Sequence, residues 1–410
     1  MAVPHKPPSA LRHPGFRWFF ATYAIAMMAD NIEHVISYWV AYDAFHSAAL
    51  AGFAVISHWV PFLVFSVWVG ALNDRFDSRR VIQCGQALFI LASVDWGIIF
   101  ATDSLQIWGA VLLLTLHGCA GVLWQTSSQM LLYDIVGPDL LPSAVRLNAT
   151  ARYLGVLVGP VVGGAIMLVF GPTRGIFVNT VFYLPIVLWL TWAPYGRHFR
   201  GTAPPPRRAV RGLADIVQTV RDVRGVPVLG AMLVLAGSAS FLVGNSYQAL
   251  MPKFAIDLGH GNTGVTYFML LAADAAGALT GGLLLETSRG WLRITPRNAI
   301  TLSLVWAVSL AAFGLVRYYP ACLAFLFCAG FFELSFGSMA QTIVQMKAPN
   351  DIRGRVLGLY NMSALGLRAF SGITVGLVGS LVTIHISLAL ATGCFTLAML
   401  VLLVRLRALA

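Results

Sequence analysis

Several titratable side chains interrupt apolar stretches of the sequence, and their types are those that bind and release protons. Asp30, Glu33 and His34 lie in one stretch, where the four-residue spacing puts Asp30 and His34 on one helix face beside Glu33. His117 lies in a second stretch. Inside a membrane such groups are costly unless they are paired or hydrated, so we interpret these four as candidates for proton or cation handling. His58 is interpreted as structural.

Two further acids, Asp274 and Glu333, interrupt later apolar stretches. Arg152 lies in the apolar stretch at 143–170, and Arg368 lies in a later one. We interpret these four residues too as candidates for proton or cation handling. A structural alternative stays open, in which the arginines only neutralise buried acids. Arg368 would then pair with Glu333 or Asp274, and Arg152 would pair with Asp30 or Glu33.

The composition indicates what kind of protein positions these groups. Of 410 residues, 58% are apolar and 10% are charged, and the mean hydropathy is +0.78. Soluble domains carry about 25% charged residues, so this chain lacks the charge to cover the surface of a cytosolic enzyme. The five cysteines form no Cys-x-x-Cys pair, and we expect neither a disulfide framework nor a metal site. An integral membrane protein is indicated.

A helix that spans a membrane needs about 20 mostly apolar residues. On this criterion the sequence predicts an all-α membrane protein with twelve transmembrane helices, at 16–41, 48–72, 81–102, 105–132, 143–170, 174–194, 226–251, 262–286, 297–317, 320–345, 354–380 and 383–404.

The basic residues predict how this protein is oriented. With twelve spans, 22 of the 27 lysines and arginines fall in segments on one side of the membrane. The other side keeps only Arg174, Lys253 and Arg317. Because cytoplasmic loops are rich in basic residues, we expect a multi-pass protein of the inner (plasma) membrane with both termini in the cytoplasm. The formal charge of +11 is then an orientation signal, and no nucleic acid partner is expected.

One long connection divides the chain into two halves. We predict an N-terminal six-helix bundle at 1–194, a cytoplasmic linker at 195–225 and a C-terminal six-helix bundle at 226–410. The linker opens with three prolines at 204–206 and a basic cluster, and continues as an amphipathic helix whose apolar stripe is Leu213, Ile216, Val217 and Val220. A faint repeat at an offset of 211 residues, as in Gly70 and Gly281 or Pro138 and Pro349, makes the two bundles pseudo-symmetric.

The connection after the second predicted helix contains a glycine, an aspartate and two arginines at fixed spacing: Gly70, Asp74, Arg75 and Arg79. It resembles the signature cytoplasmic loop of the major facilitator superfamily, although Asp77 stands where that pattern has a glycine. The resemblance implies that Asp74 meets the start of the eleventh predicted helix near Gly354 and that Arg75 reaches Asp134. Together these contacts would hold the two halves in an outward-facing state.

A glycine-rich face on the fifth predicted helix bears on which kind of transport the chain performs. It consists of Gly155, Gly159, Pro160, Gly163 and Gly164. Small residues at this spacing favour close helix packing, and Pro160 would bend the helix. The pattern resembles the antiporter motif of the same superfamily, whose leading glycine is Arg146 here. A packing helix without an exchange function is the alternative.

Two further stretches, 138–148 and 353–361, resemble the subgroup of facilitators that contains enterobactin-exporter-like and macrolide-efflux-like proteins. The resemblance implies efflux of a small organic compound such as a drug or a siderophore-like metabolite, driven by the proton gradient with no cofactor. We expect a monomer whose partners are the lipid bilayer, protons and its small-molecule substrate. In this superfamily helices 1, 4, 7 and 10 line the cavity, which favours Asp30, Glu33, His34, His117 and Glu333 as coupling residues.

Polar and aromatic side chains on two of those helices are candidates for contact with the substrate. They are Trp124 and Gln125 on the fourth predicted helix and Asn245, Tyr247 and Gln248 on the seventh. Such faces also serve hydrogen bonding between helices, so both interpretations stay open.

Two other functions remain open. The fold alone sets no direction, so the chain could import a metabolite, or it could be a membrane sensor that transports nothing. The intact Gly-Asp-Arg loop argues against a sensor, and the glycine-rich face favours export. No motif of a hydrolase, a P-loop or a histidine-rich metal enzyme is present, so an enzyme is not expected.

Overall fold

The computed structural model describes residues 9–45, 48–196, 199, 213–244, 246–259, 263–287, 292–371, 374–375 and 378–408. The predicted proline spacer at 204–206, most of the basic cluster beside it and the substrate candidate Asn245 lie outside these ranges.

Every regular element in the described ranges is a helix. The helices are α1 (Pro14–Phe45), α2 (Ala48–Arg75), α3 (Ser78–Ala101), α4 (Ile107–Trp192), α5 (Leu213–Arg224), α6 (Pro227–Leu242), α7 (Ser246–Ala249), α8 (Met251–Leu258), α9 (Thr263–Thr287), α10 (Pro296–Leu315), α11 (Tyr319–Lys347), α12 (Arg353–Ala364), α13 (Val378–Leu381) and α14 (Ile384–Ala408). Short 3₁₀ helices cover Ala10–Arg12 and Gly366–Phe370.

α4 contains what the sequence predicts as three separate helices with loops between them. Its 86 residues are interrupted at Gly137, with φ of 68°, and at Gly171, with φ of 73°. Proline follows each of these glycines. A glycine with positive φ ends one helix and a proline begins the next, so each Gly-Pro pair reverses the chain without a loop.

Two predicted helices are interrupted in the structure. The predicted helix at 226–251 is divided into α6, α7 and the start of α8, with Gly244 at φ of 49° after α6. The predicted helix at 354–380 ends as α12 at Ala364 and continues as a 3₁₀ helix. Within the described residues, eight helices are long and apolar enough to cross a membrane, α4 counting as one, so the division into twelve stays a prediction.

The two largest apolar cores lie in two groups of helices. The first core is built from α1, α3 and α4, on which α2 packs, and the second is built mainly from α6, α8, α9, α10, α11, α12 and α14. Val67 of α2 and Met130 of α4 reach into the second core. The groups meet where α2 packs on α12 and where α4 packs on α9. Side chains that face the gap between the two groups are therefore placed by both.

The helix predicted in the linker is present as α5. Two residues of its predicted apolar stripe, Ile216 and Val220, pack partly buried against the core of the second group, whereas Val217 is 52% exposed. Asp215, Thr219 and Val223, next to these two on the helix surface, are more deeply buried. α5 packs against α2, α6 and α12. Its position is therefore fixed by a polar contact with the protein, described below, as well as by its apolar residues.

Candidate substrate cavity and its gates

Asp74 caps the start of a helix in the other half. The backbone N–H of Gly354 donates to Asp74 Oδ1 at 2.7 Å, and that of Arg355 donates to Oδ2 at 3.1 Å. The residue before α12, Ile352, offers no capping side chain. The first amides of a helix have no partner within the helix and carry partial positive charge, so a carboxylate from α2 satisfies them.

The two backbones meet at glycines beside this contact. A Cβ on Gly70 would lie 2.1 Å from the carbonyl oxygen of Gly354, and a Cβ on Gly354 would lie 2.2 Å from that of Gly70. Further along the same pair, a Cβ on Gly358 would lie 2.3 Å from the Ser66 carbonyl oxygen. Only glycine permits this approach, so Gly70 and Gly354 position Asp74.

Arg355 joins this contact to the linker helix. Its Nε donates to Asp215 Oδ1 at 3.1 Å, while its Nη1 lies 3.8 Å from Asp74 Oδ2. All three side chains are largely shielded from solvent. Asp215 and Arg355 were not identified from the sequence as members of this site.

A second contact joins the halves between α4 and α9. Glu286 Oε1 accepts from the hydroxyls of Ser143 at 2.5 Å and Ser9 at 2.6 Å, and Glu286 Oε2 pairs with Arg146 Nη2 at 3.1 Å. Ser143 and Gly354 are separated by the 211 residues of the predicted repeat. The repeat was also the sequence signal that could have identified Glu286. An offset of 211 residues from Arg75, the residue after Asp74, gives position 286. We call the end of the molecule that carries Asp74 and Glu286 the latch end.

The arginines predicted to belong to the gate have different partners. Arg79 Nη2 pairs with Asp77 Oδ2 at 2.8 Å and its Nη1 donates to the Ala193 carbonyl oxygen at 2.6 Å, so Arg79 closes contacts inside the N-terminal half. The Arg75 guanidinium lies 5.3 Å from the ring centre of Phe76. Its contact with Asp134 stays a prediction.

Three of the four glycines in the predicted antiporter-like face pack on α1. A Cβ added at Gly155 would lie 2.8 Å from Met27 Cβ, and one added at Gly159 would lie 2.5 Å from Asn31 Cβ. At Gly163 it would lie 3.3 Å from Ile32 Cα, whereas nothing lies within 4 Å at Gly164. Gly164 is thus outside the contact. The breaks in α4 fall at Gly137 and Gly171 and not at Pro160.

A cavity lies between the two groups of helices. Its polar lining comes from both halves and consists of Tyr23, Gln125, Gln129, Asn148, Arg152, Tyr153, Ser240, Glu333, Ser338, Gln341, Tyr360, Asn361 and Arg368. Of the described substrate candidates, only Gln125 lines it. Trp124 is buried among Tyr23 and Phe89, and Tyr247 is buried behind the wall of the cavity.

The charges in this cavity are Arg152, Arg368 and Glu333. Arg368 Nη2 lies 3.7 Å from Glu333 Oε1, which is the pairing that the structural alternative expects. The expected pairing of Arg152 with Asp30 or Glu33 is wrong. Among the described residues Arg152 forms no ion pair, and its guanidinium lies 5.5 Å from the ring centre of Tyr153. Arg152 is therefore a cation available to a molecule in the cavity.

A pair of acids shares one hydroxyl group next to the cavity. The Tyr247 hydroxyl lies 3.1 Å from Glu333 Oε2 and 3.2 Å from Asp274 Oδ2. Gln248 Nε2 donates to Asp274 Oδ2 at 2.8 Å. A hydroxyl donates a single proton, so both acids can bond to Tyr247 together only when one of them is itself protonated. The arrangement suits one proton shared by two carboxyl groups.

The acids of α1 form a separate group inside the N-terminal half. His117 bridges them, with Nε2 2.8 Å from Asp30 Oδ1 and Nδ1 2.8 Å from Glu33 Oε1. Glu33 also accepts from the hydroxyls of Ser93 and Tyr183. None of these residues lines the cavity described above. His117, and not Arg152, is thus the partner of these two acids.

Comparisons with known proteins agree with this architecture. The sequence profile of the family described as "Transmembrane secretion effector" matches residues 6–410. The multidrug efflux pump Tap of Mycolicibacterium fortuitum is 25% identical over 365 residues, which cover 87% of this chain and 86% of Tap. The enterobactin exporter EntS of Shigella flexneri is 24% identical over 386 residues, which cover 90% of this chain and 86% of EntS.

Among solved structures, the human organic anion transporter MFSD10 superposes with a TM-score of 0.68 at 15% identity. The match covers 95% of this chain and 100% of that one. At this identity the likeness shows a shared fold.

Proposed function

Because this chain belongs to the transmembrane secretion effector family of major facilitator transporters, we propose that it exports a small organic compound in exchange for protons. It is a multi-pass membrane transporter and not an enzyme. The observation that carries the proposal is a cavity between the halves that contains a paired acid and an arginine without an ion pair among the described residues, with two polar contacts joining the halves at the latch end.

Export is the direction that the relatives favour. Tap and EntS are named as an efflux pump and an exporter, and each matches most of this chain. We infer that the latch end faces the cytoplasm, because the basic segments collect there. Closure of the latch end would then leave the cavity to open outward, where an exporter releases its substrate.

The charges in the cavity favour one kind of substrate. Arg152 would bind an anionic or strongly accepting group, because a free guanidinium presents five N–H donors. Exchange requires that the substrate and the proton do not bind together, so the substrate should place a donor or a cationic group on ionised Glu333. We therefore propose a zwitterionic or amphoteric compound as the preferred substrate.

The proton would bind at the acids that share Tyr247. The charged and titratable groups around Glu333 are Asp274, Tyr247, Tyr153, Arg152 and Arg368. A proton on Glu333 removes the charge that holds both Arg368 and a donor group of the substrate. Protonation from outside would thus release the substrate, and deprotonation inside would restore the site.

The test is a flux assay in proteoliposomes with an imposed pH gradient and a panel of zwitterionic, cationic, anionic and neutral compounds. We expect zwitterions to be carried fastest and flux to fall when the gradient is collapsed. Flux that does not change on collapse would refute proton coupling. A preference for simple cations would refute the role of Arg152.

Two variants separate the roles. Arg152→Gln should weaken the apparent affinity by about 10- to 100-fold, the range for losing a charged hydrogen bond, and leave the pH dependence unchanged. Glu333→Gln should instead abolish the response to the pH gradient. The exposed residues Arg174→Gln and Asp139→Asn are matched controls that should behave as wild type.

A further inference from the structure

Three histidines from three helices meet in the N-terminal half, away from the cavity. One ring nitrogen from each of His34, His58 and His117 lies within 4.8 Å of the others. The ring centres of His34 and His117 are 4.6 Å apart, and those of His34 and His58 are 5.0 Å apart. The interpretation of His58 as an isolated structural residue therefore misses its neighbours.

A carboxylate lies beside this group of histidines, in contact with one of them. Asp30 Oδ1 lies 2.8 Å from His117 Nε2, so an ion that replaced the shared proton there would be next to both. Three imidazoles and one carboxylate form an N₃O set, which suits four-coordinate zinc and similar divalent transition metals.

The next layer of residues also fits a metal site. The second nitrogen of His117, Nδ1, lies 2.8 Å from Glu33 Oε1. Glu33 is in turn fixed by Ser93 from α3 and by Tyr183 from α4, whose hydroxyl donates at 3.2 Å. Histidines that ligate metals usually donate their other N–H to such a carboxylate, which sets the ring orientation.

Two further observations favour a cation at this site. His58 Nδ1 is buried and, within the described part of the chain, has no hydrogen-bond partner. The side chains of Asp30, Glu33 and His117 are buried between helices beside this group. A divalent ion there would place positive charge next to buried carboxyl groups, which matters where a charge without a partner is costly. His34 and His58 are only partly buried, so the group can be approached from one side.

We propose that His34, His58, His117 and Asp30 bind one divalent transition-metal ion of the zinc class, with Glu33 orienting His117. Zinc–nitrogen bonds are about 2.0–2.1 Å, so the rings must move closer by rotation when the ion binds. The ion would join α1, α2 and α4. This site is independent of the proposed substrate and proton sites, because it shares no residue with them.

The test is a titration of the purified full-length protein, freed of any polyhistidine tag, with Zn²⁺ in calorimetry and with Co²⁺ in visible absorption. We expect one ion per chain, the absorption of tetrahedral Co²⁺, and its loss on adding Zn²⁺. Ca²⁺ and Mg²⁺ prefer oxygen ligands and should not compete. Binding of less than one ion, or equal competition by Ca²⁺, would overturn the proposal.

Variants identify the ligands. His58→Ala should reduce affinity by at least 10-fold, and Glu33→Gln by about 10- to 100-fold, the range for a residue that orients a ligand. His13→Ala removes a histidine outside the group and should bind as wild type. Size-exclusion profiles show whether each variant is folded. Folded His58→Ala protein that binds Zn²⁺ as tightly as wild type would contradict the assignment.

Discussion

Asp74 on α2 caps the N-terminus of α12, a helix in the other half, although an N-cap residue ordinarily belongs to the helix that it caps. Both of its oxygens accept from the first amides of α12, and the interaction exists only while the halves are together at the latch end. When they separate, water must replace the carboxylate at those amides. In the proposed exchange, a single side chain would thus contribute directly to the free energy difference between the states with this end closed and open.

We expect Asp74→Ala to weaken the closed latch without affecting insertion into the membrane. Loss of an N-cap costs about 0.5–2 kcal/mol, so the ratio of closed to open latch should fall by about 2- to 30-fold. Distances between spin labels on the two halves measure this ratio, and a flux assay measures the accompanying loss of transport. Asp139→Ala, at an exposed acid, is the control. Full transport by the Asp74→Ala variant would argue against the latch.

Among the helices, α2 and α12 are distinguished by how closely their backbones approach. Glycines at Gly70, Gly354 and Gly358 meet carbonyl oxygens of the partner helix at distances that leave no room for a Cβ. Such packing gains dispersion energy and weak C–H···O contacts, and in a membrane it takes the place of the hydrophobic effect. The spacing of α2 and α12 is therefore set by glycine.

Gly354→Ala should push α2 and α12 apart and lower the stability of the closed state by about 1–3 kcal/mol, the cost of overpacking a filled interface. Gly393→Ala in α14 is the matched control, because nothing lies within 4 Å of a Cβ there. That variant should be neutral or slightly stabilising, since alanine is the better helix former. Thermal unfolding in detergent and flux measure both effects. Equal behaviour of the two variants would contradict the packing argument.

At the scale of the whole molecule, two separate contacts join the halves at the latch end. One uses Asp74 on α2 with the start of α12, and the other uses Glu286 on α9 with Ser143 and Arg146 of α4. The offset of the sequence repeat relates Ser143 to Gly354. Their positions on different helix pairs mean that opening the latch end requires both to break.

Because the two contacts share no residue, their effects should add in free energy. We expect Glu286→Gln and Asp74→Asn each to shift the molecule toward the open latch, and the double variant to shift it by the sum. Spin-label distances across the latch end give the populations. Thr287→Ala changes the neighbour of Glu286 and should have no effect. The Thr287 side chain is exposed, and its hydrogen bonds to described residues stay within its own helix. If the double variant populated the open latch no more than one of the single variants does, one of the two contacts would contribute nothing to closure.

The part of this site that could be predicted from the sequence depends on residues that lie close together in the chain. Gly70 and Asp74 lie in one short segment, and their partner Gly354 was implied by the family resemblance. The pairing of Arg368 with Glu333 was expected as one alternative, because both interrupt apolar stretches. Such inferences need only the periodicity of a helix and the cost of an unpaired charge.

The contacts between helices far apart in sequence could not be predicted in the same way. His34, His58 and His117 come from three helices whose relative rotation is set by packing, and nothing in the spacing of one helix fixes that rotation. The same reason explains the wrong partner for Arg152 and the burial of Asp215 and Thr219 on α5, which the apolar stripe did not predict. The Gly-Pro pairs at 137–138 and 171–172 were visible in the sequence, but their effect depends on the sign of φ at the glycine.

The reversals at Gly137 and Gly171 have a practical consequence for anyone who maps the topology of this protein with reporters. Each joins two helical segments through a single residue, so an epitope or a reporter enzyme inserted there must break the hydrogen bonds of both segments. Residues 102–106 between α3 and α4 are mostly exposed and lie outside the helices. Reporters inserted at 102–106 should therefore show the native orientation of the chain. Reporters inserted at Gly137 or Gly171 would disrupt the helices and show the orientation of a disturbed chain.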